Sequence, residues 1–271
     1  SSTGQVAIKY GIQGPSLTIT TACAASANAI GEAKRMIEQN IVDKVLVGGT
    51  ESGTTSMTIG AFAQIKALSK QNDEPQKACK PFDKNRDGFV MAEGSTVLIL
   101  ESESSAEDRD AKVYGYISGY GSSTDAYHIT APSEGGVGAL RAMEQAISNA
   151  DISKEKIDYI NAHGTSTPAN DLNETLAIKS LMNDYAYEVN ISSTKSMTGH
   201  LLGGGGAFEA MASLLSMKNN QIPPTINLND SDEDCDLNYT PNHSLDKNID
   251  HVMSNSFGFG GHNAVLIFSK E

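Results

Sequence analysis

Short apolar runs alternate with amphipathic stretches along this chain, and the alternation predicts strands and helices in turn. Residues 17–22 carry a β-branched alternation that predicts a first strand. From Cys23 the spacing becomes helical, with Ile30, Ala33 and Ile37 on one face, and predicts a helix to about residue 39. Residues 42–47 predict a second strand closed by a Gly48-Gly49 turn. Residues 61–68 read as helix, 69–80 as a polar loop and 95–101 as a third strand. The charged stretch 101–112 predicts a connection between two halves.

The alternation then resumes. Residues 113–121 predict a long strand, and 138–150 a helix with Leu140, Met143, Ala146 and Ile147 on one face. Residues 157–162 form a short apolar strand that ends at His163. Residues 171–182 predict a helix with Asp171 as its cap. Residues 189–192 predict a strand and 206–218 a helix packed with Ala and Leu. Residues 252–255 lead into a glycine turn, and 264–269 predict the last strand. Strands alternating with helices indicate a layered α/β fold, and the resumption after the connector suggests a duplicated α/β unit without a short-period repeat.

Composition narrows the class. With 271 residues and 39% apolar content the chain can build one large or two small cores. Its net charge of −13 disfavours a nucleic-acid surface. Cys23, Cys79 and Cys235 are odd in number and lack paired spacing, which argues against a disulfide framework and fits a reducing, cytoplasmic setting. No apolar run is long enough to span a membrane, and no secretory signal opens the chain. The opening Ser1-Ser2-Thr3-Gly4-Gln5 has no initiator methionine, so truncation upstream is expected.

Reactive side chains gather in four segments, each just after a predicted strand. They are Thr21-Ala22-Cys23, the stretch 161–168 around His163, the stretch 193–200 from Ser193 through Lys195 to His200, and the stretch 255–261 around Phe259. A thiol at a strand-to-helix junction meets the positive end of a helix dipole, which favours the thiolate and makes Cys23 a candidate nucleophile. The alternative is a small buried hydrophobe. His163 and His200 are candidate bases, or else ordinary core or surface histidines. Lys195 reads as a solvated lysine or as a buried one, and Glu209, on an otherwise apolar helix, is its expected partner.

These motifs in this order resemble the β-ketoacyl-acyl-carrier-protein synthases, closest in type to the elongating synthase II of fatty-acid synthesis. Thr-Ala-Cys, His-Gly-Thr-Ser-Thr-Pro, Ser-Thr-Lys-Ser-Met-Thr-Gly-His-Leu-Leu-Gly and Asn-Ser-Phe-Gly-Phe-Gly-Gly carry the likeness, with Asp125-Ala126-Tyr127-His128, Pro81-Phe82-Asp83 and Pro223-Pro224-Thr225 in support. The resemblance implies a thiolase-like α/β fold, layered αβαβα in two similar halves. The N-terminal half would be incomplete here, with 1–110 its end and 111–271 the complete C-terminal half. It also implies decarboxylative condensation of malonyl-carrier protein with an acyl chain held on Cys23. His163 and His200 promote the malonyl step, and Lys195 paired with Glu209 supports His200. Backbone N–H groups of Cys23 and Phe259 form the oxyanion hole, Thr165 and Thr167 hold the pantetheine arm, and Phe259 gates the acyl chain. Acyl-carrier protein is the implied partner, met by Lys66 with Lys70 nearby or else these are ordinary solvated lysines, and the working form is a homodimer. No cofactor, metal, nucleic acid or membrane insertion is implied. The alternatives are a ketosynthase of polyketide or specialised-lipid synthesis, or an inactive fragment or non-catalytic partner subunit.

Some positions depart from the pattern. Gly203-Gly204-Gly205-Gly206 stands where Gly-Ala-Ala-Gly is commoner and loosens the helix start, by about 1 kcal/mol per site at most. Asp110 replaces a glycine in the connector, and His262 adds a third histidine near the glycine turn. Asp83-Lys84-Asn85-Arg86-Asp87-Gly88 imitates the start of a calcium loop, but Gly94 occupies the required acidic position and Glu93 falls one place early. Asp83 and Asp87 are expected to make turns and ion pairs instead.

Overall fold

The computed structural model describes residues 2–270. The first half comprises α1 (Ser2–Tyr10), α2 (Ala25–Glu38), β1 (Lys44–Glu51), α3 (Ser56–Gln64), β2 (Gly94–Glu101) and α4 (Glu103–Asp108). Next come β3 (Tyr116–Thr124), α5 (Val137–Ala150), β4 (Tyr159–Asn161), α6 (Pro168–Met182), β5 (Asn190–Ser192) and α7 (Lys195–Thr198). The order closes with α8 (Gly205–Asn219), the two-residue strands β6 (Gln221–Ile222) and β7 (Leu245–Asp246), β8 (His251–Gly258) and β9 (His262–Ser269).

Five strands form one mixed sheet in the order β3-β9-β8-β4-β5. β3, β9 and β8 are antiparallel neighbours, while β8, β4 and β5 run parallel. Side chains along β9 alternate between two cores. Val265 and Ile267 pack with α5 and α6, whereas Ala264, Leu266 and Phe268 pack with α2 and α8. Burial on both faces explains the unbroken apolar run at residues 264–268, where each large side chain adds about 1.5–3 kcal/mol of transfer free energy. The β1–β2 antiparallel ribbon lies on the far side of α2 and α8. The described residues thus stack as ribbon, helices, sheet, helices, four successive layers of a thiolase-like arrangement.

Several elements differ from the sequence reading. Residues 17–22 form no strand, because a β-branched segment needs a ladder partner and among the described residues it has only an isolated bridge between Thr21 and Cys23. Gly48 and Gly49 lie inside β1 rather than in a turn. A Cβ on Gly48 would stand 2.2 Å from the Thr96 carbonyl oxygen, and one on Gly49 2.5 Å from Ser26 Cβ, so the pair serves close packing. The helix expected at 61–68 is α3, five residues earlier, capped by Thr55 Oγ1 accepting the Thr58 N–H at 3.3 Å. The connector contains α4, capped by Ser102. β3 starts only at Tyr116, after the exposed Val113 and Tyr114. Asp171 is not a cap: Thr167 holds that position and Asp171 faces inward from the first turn of α6.

The topology positions the chemistry. β8, β4 and β5 run the same way, so their C-terminal ends share one edge of the sheet. Phe259 follows β8, His163 follows β4, and Lys195 and His200 follow β5.

Candidate active site

Cys23 lies in a tight turn just before α2. The N–H groups of Ala24 and Ala25 donate to the carbonyls of Thr21 and Ala22 at 3.1 and 3.0 Å. Ala22 holds φ at +49°, a left-handed conformation that costs a non-glycine residue about 1–2 kcal/mol. Gly258, at the end of β8, passes directly behind. A Cβ there would stand 2.8 Å from Thr21 O and 3.0 Å from Cys23 N, so glycine is what lets the strand approach. The approach sets the Phe259 N–H toward the Cys23 sulfur, where it favours the thiolate. Burial dominates the thiol, and its pKa is pushed up to about 11, while Lys195 and the Phe259 N–H pull it down. Desolvation thus works against the thiolate that the helix dipole favours.

His163 and His200 come together as edge-to-face rings, with centres 5.3 Å apart and planes at 82°. Both are buried. Burial first, then the positive charge of Lys195, holds both imidazoles well below the usual histidine range; His200 adds to the effect on His163. Nδ1 of His200 accepts the Leu202 N–H at 3.2 Å, which leaves the ring proton on Nε2. Phe89 packs edge-on against His200 at 5.2 Å, and Phe257 against His163 at 5.7 Å.

Lys195 and Glu209 form an ion pair buried between α7 and α8. Burial raises the Glu209 carboxyl, against the pull of Lys195. The pair keeps a positive charge beside two rings that are thereby disfavoured as cations.

Two carboxylates one turn apart on α6 hold the loop after β4. Glu174 accepts the N–H groups of His163 and Gly164, both at 2.8 Å, and the Asn255 side chain at 3.0 Å. Asp171 accepts the N–H of Thr165 and of Phe82, both at 2.9 Å, and Arg86 approaches it at 3.5 Å. Sequence reasoning missed Glu174, gave Phe89 and Asn255 no role of their own, and misassigned Asp171. The available signal was a pair of acidic residues three apart on a helix directly after the His-Gly loop.

A cavity of about 340 Å³ is lined by Cys23, His163, His200, Thr165, Thr167 and Phe259. The hydroxyls of Thr165 and Thr167 lie 2.8 Å apart. A larger groove, about 760 Å³, also reaches Cys23, Leu202, Phe62 and Phe259. Phe259 thus lines both spaces, in a turn whose following Gly260 and Gly261 take φ of +82° and +73°. Lys66 lines the smaller cavity; Lys70 does not, and its N–H donates to Asp87 at 3.0 Å. His262 starts β9, partly exposed and outside the cavity lining. Asp83 accepts the N–H groups of Asn85, Asn229 and Asp230 at 2.8–2.9 Å, so the calcium-like stretch is a structural turn. Asp110 takes φ of +53°, the left-handed conformation that glycine adopts freely. Gly206 abuts Ala27, where a Cβ would meet its Cβ at 2.8 Å, so this glycine, shared with the commoner pattern, is required by helix contact, whereas a Cβ on the extra Gly204 or Gly205 would meet nothing nearer than 3.4 Å.

The site therefore couples a thiol, a hydrogen-bond donor aimed at its sulfur, and two neutral imidazoles. Such a set can accept an acyl group and stabilise an oxyanion or enolate. The sheet order and site define a thiolase-like ketosynthase fold. Family models described as "Beta-ketoacyl synthase, N-terminal domain" and "Beta-ketoacyl synthase, C-terminal domain" match residues 2–106 and 114–229. The chain is 51% identical over 269 residues to 3-oxoacyl-[acyl-carrier-protein] synthase 2 of Synechocystis sp., and 49% identical to that of Coxiella burnetii. Each match covers 99% of this chain and 65% of the relative, so the chain spans about two thirds of their length. A type II polyketide ketosynthase, solved with its acyl-carrier protein and bound to a hexaketide, matches with a TM-score of 0.97 at 38% identity, covering 100% of this chain and 66% of that one. A β-ketoacyl synthase from Burkholderia phymatum matches at 0.94 and 36%, covering 99% and 64%. The chain belongs to the β-ketoacyl synthase family.

Proposed function

We propose that this chain carries the reaction centre of a 3-oxoacyl-[acyl-carrier-protein] synthase, an acyltransferase of fatty-acid elongation. The observation that carries the reading is the convergence of Cys23, His163 and His200 on one cavity. The Cys23 sulfur loses its proton and attacks an acyl thioester on carrier protein. The pantetheine thiol leaves, and the acyl group stays on sulfur. Malonyl-carrier protein then enters the smaller cavity, where Thr165 and Thr167 hydrogen-bond its pantetheine arm. The malonyl C–C bond breaks and CO₂ leaves. His163 and the Nε2–H of His200 stabilise the enolate oxygen. The enolate carbon attacks the acyl-Cys23 carbonyl, whose oxyanion takes the N–H groups of Cys23 and Phe259. The carbon–sulfur bond breaks, restoring Cys23 and releasing 3-oxoacyl-carrier protein.

In this reading Lys195, paired with Glu209, keeps the histidines neutral, and Phe259 swings to admit the acyl chain. Residues 1–110 are the end of an N-terminal thiolase-like half, and 111–271 the C-terminal half. The protein acts in the cytoplasm as a homodimer, and Lys66 meets the acidic carrier protein. A polyketide ketosynthase is the second reading, favoured by the close backbone match to that structure. The higher identity to fatty-acid synthases favours the first. The test supplies acyl-carrier protein and malonyl-carrier protein labelled in the free carboxyl. Labelled CO₂ released in step with 3-oxoacyl-carrier protein supports the function; neither product overturns it. Turnover with polyketide starters alone favours the second reading.

A further inference from the structure

A hydrogen-bonded chain runs from the edge strand of the large sheet to the turn that holds Cys23. The hydroxyl of Tyr120, on β3, donates to Asn28 Oδ1 at 2.7 Å. Asn28, in the first turn of α2, donates through Nδ2 to Thr21 Oγ1 at 2.7 Å. Thr21 stands two residues before Cys23, and its carbonyl accepts the Ala24 N–H. Tyr120 and Asn28 are both buried. The phenol has one proton and faces two acceptors, Asn28 Oδ1 and Glu32 Oε1 at 3.4 Å. The amide oxygen faces Tyr120 and its NH₂ faces Thr21.

Tyr120 is itself held at several points. Its N–H donates to Asn149 Oδ1 at 3.0 Å, and the same oxygen accepts Lys34 Nζ at 3.2 Å. The Arg35 guanidinium lies over the ring at 4.8 Å, and a Cβ on Gly31 would stand 2.4 Å from it, so the ring has no room to shift. A buried amide–phenol pair adds little net stability over apolar packing, and what it adds is direction. The direction matters here because the left-handed Ala22 lies between Thr21 and Cys23.

We propose that Asn28, oriented by Tyr120, is a positioning residue for Cys23. By holding Thr21 it keeps Ala22 in its left-handed conformation and the Cys23 sulfur under the Phe259 N–H. The inference rests on Cys23 being the acyl acceptor. It adds that β3, beyond the connector, sets the geometry of a nucleophile that precedes the connector.

The test measures alkylation of Cys23 by iodoacetamide, with peptide mass mapping, from neutral pH to pH of about 10. The buried Cys79 and Cys235 serve as internal reporters of unfolding. Asn28→Ala and Thr21→Val should each slow Cys23 about tenfold and move the rise of rate to higher pH, with Cys79 and Cys235 unreactive. Asn28→Asp accepts from both the Tyr120 and Thr21 hydroxyls and should recover most of the rate. Tyr120→Phe should fall between. Wild-type rate and pH profile in Asn28→Ala, a faster rate, or slowing only alongside exposure of Cys79 and Cys235 would overturn the proposal. Absence of an acyl adduct on the wild-type protein would instead overturn the functional reading, and leaves the alkylation result standing.

Discussion

His163 and His200 present perpendicular, buried imidazoles to one cavity, and the Leu202 N–H fixes the His200 proton on Nε2. Nδ1 of His163 is buried and has no hydrogen-bond partner among the described residues. Rings held neutral by burial and by Lys195 are suited to stabilise a developing enolate oxygen without taking a full proton.

Neutral histidines link stability to acid. Both rings titrate below the ordinary value of 6.5 in the folded protein, so the unfolded chain binds more protons. Their contribution is fully present above pH 6.5 and is lost as pH falls below it toward the folded values. Each adds a slope of up to about 1.4 kcal/mol per pH unit in that window. Urea unfolding of wild type and His163→Phe below neutral pH should show a shallower slope in the variant. Equal slopes would contradict neutral burial.

The Cys23 thiol, with a pKa near 11, should react with alkylating agents ever faster as pH rises toward that value. A plateau near neutral pH would mean that the helix dipole and Lys195 overcome burial after all.

Breaking the Lys195–Glu209 pair leaves one charge buried alone. Lys195→Met should destabilise by about 3–5 kcal/mol, and the double change to Met and Leu should recover much of this. Loss of Lys195 should also raise both histidine pKa values, which ¹⁵N shifts of the imidazoles would reveal. Unmoved histidines would refute the electrostatic role assigned to Lys195.

Glu174→Gln places an amide NH₂ against backbone N–H groups that need an acceptor. Each N–H left without one costs about 1–3 kcal/mol. Chemical denaturation should show that loss, and Glu174→Asp should show a smaller one. A Gln variant as stable as wild type would show that these bonds do not hold the His163 loop.

Much of this site was legible in the sequence because its residues follow strand ends, and parallel strands β8, β4 and β5 deliver their ends to one edge. Glu209 as the partner of Lys195 was readable from a lone charge on an apolar helix. Residues 17–22 misled, because strand propensity speaks of a face and not of a ladder partner. Gly48 and Gly49 misled because glycine marks close approach as readily as a turn. The clamp by Asp171 and Glu174 was hidden, since helical spacing does not reveal which carboxylates turn inward onto a distant loop. The thiol's raised pKa was hidden too, because desolvation depends on packing.

The most direct test of the central claim is mass spectrometry of the protein after incubation with acyl-loaded carrier protein. The account predicts a single acyl adduct, mapped to Cys23, absent in Cys23→Ala and discharged by malonyl-carrier protein. An unmodified Cys23, or an adduct on Cys79 or Cys235, would contradict it.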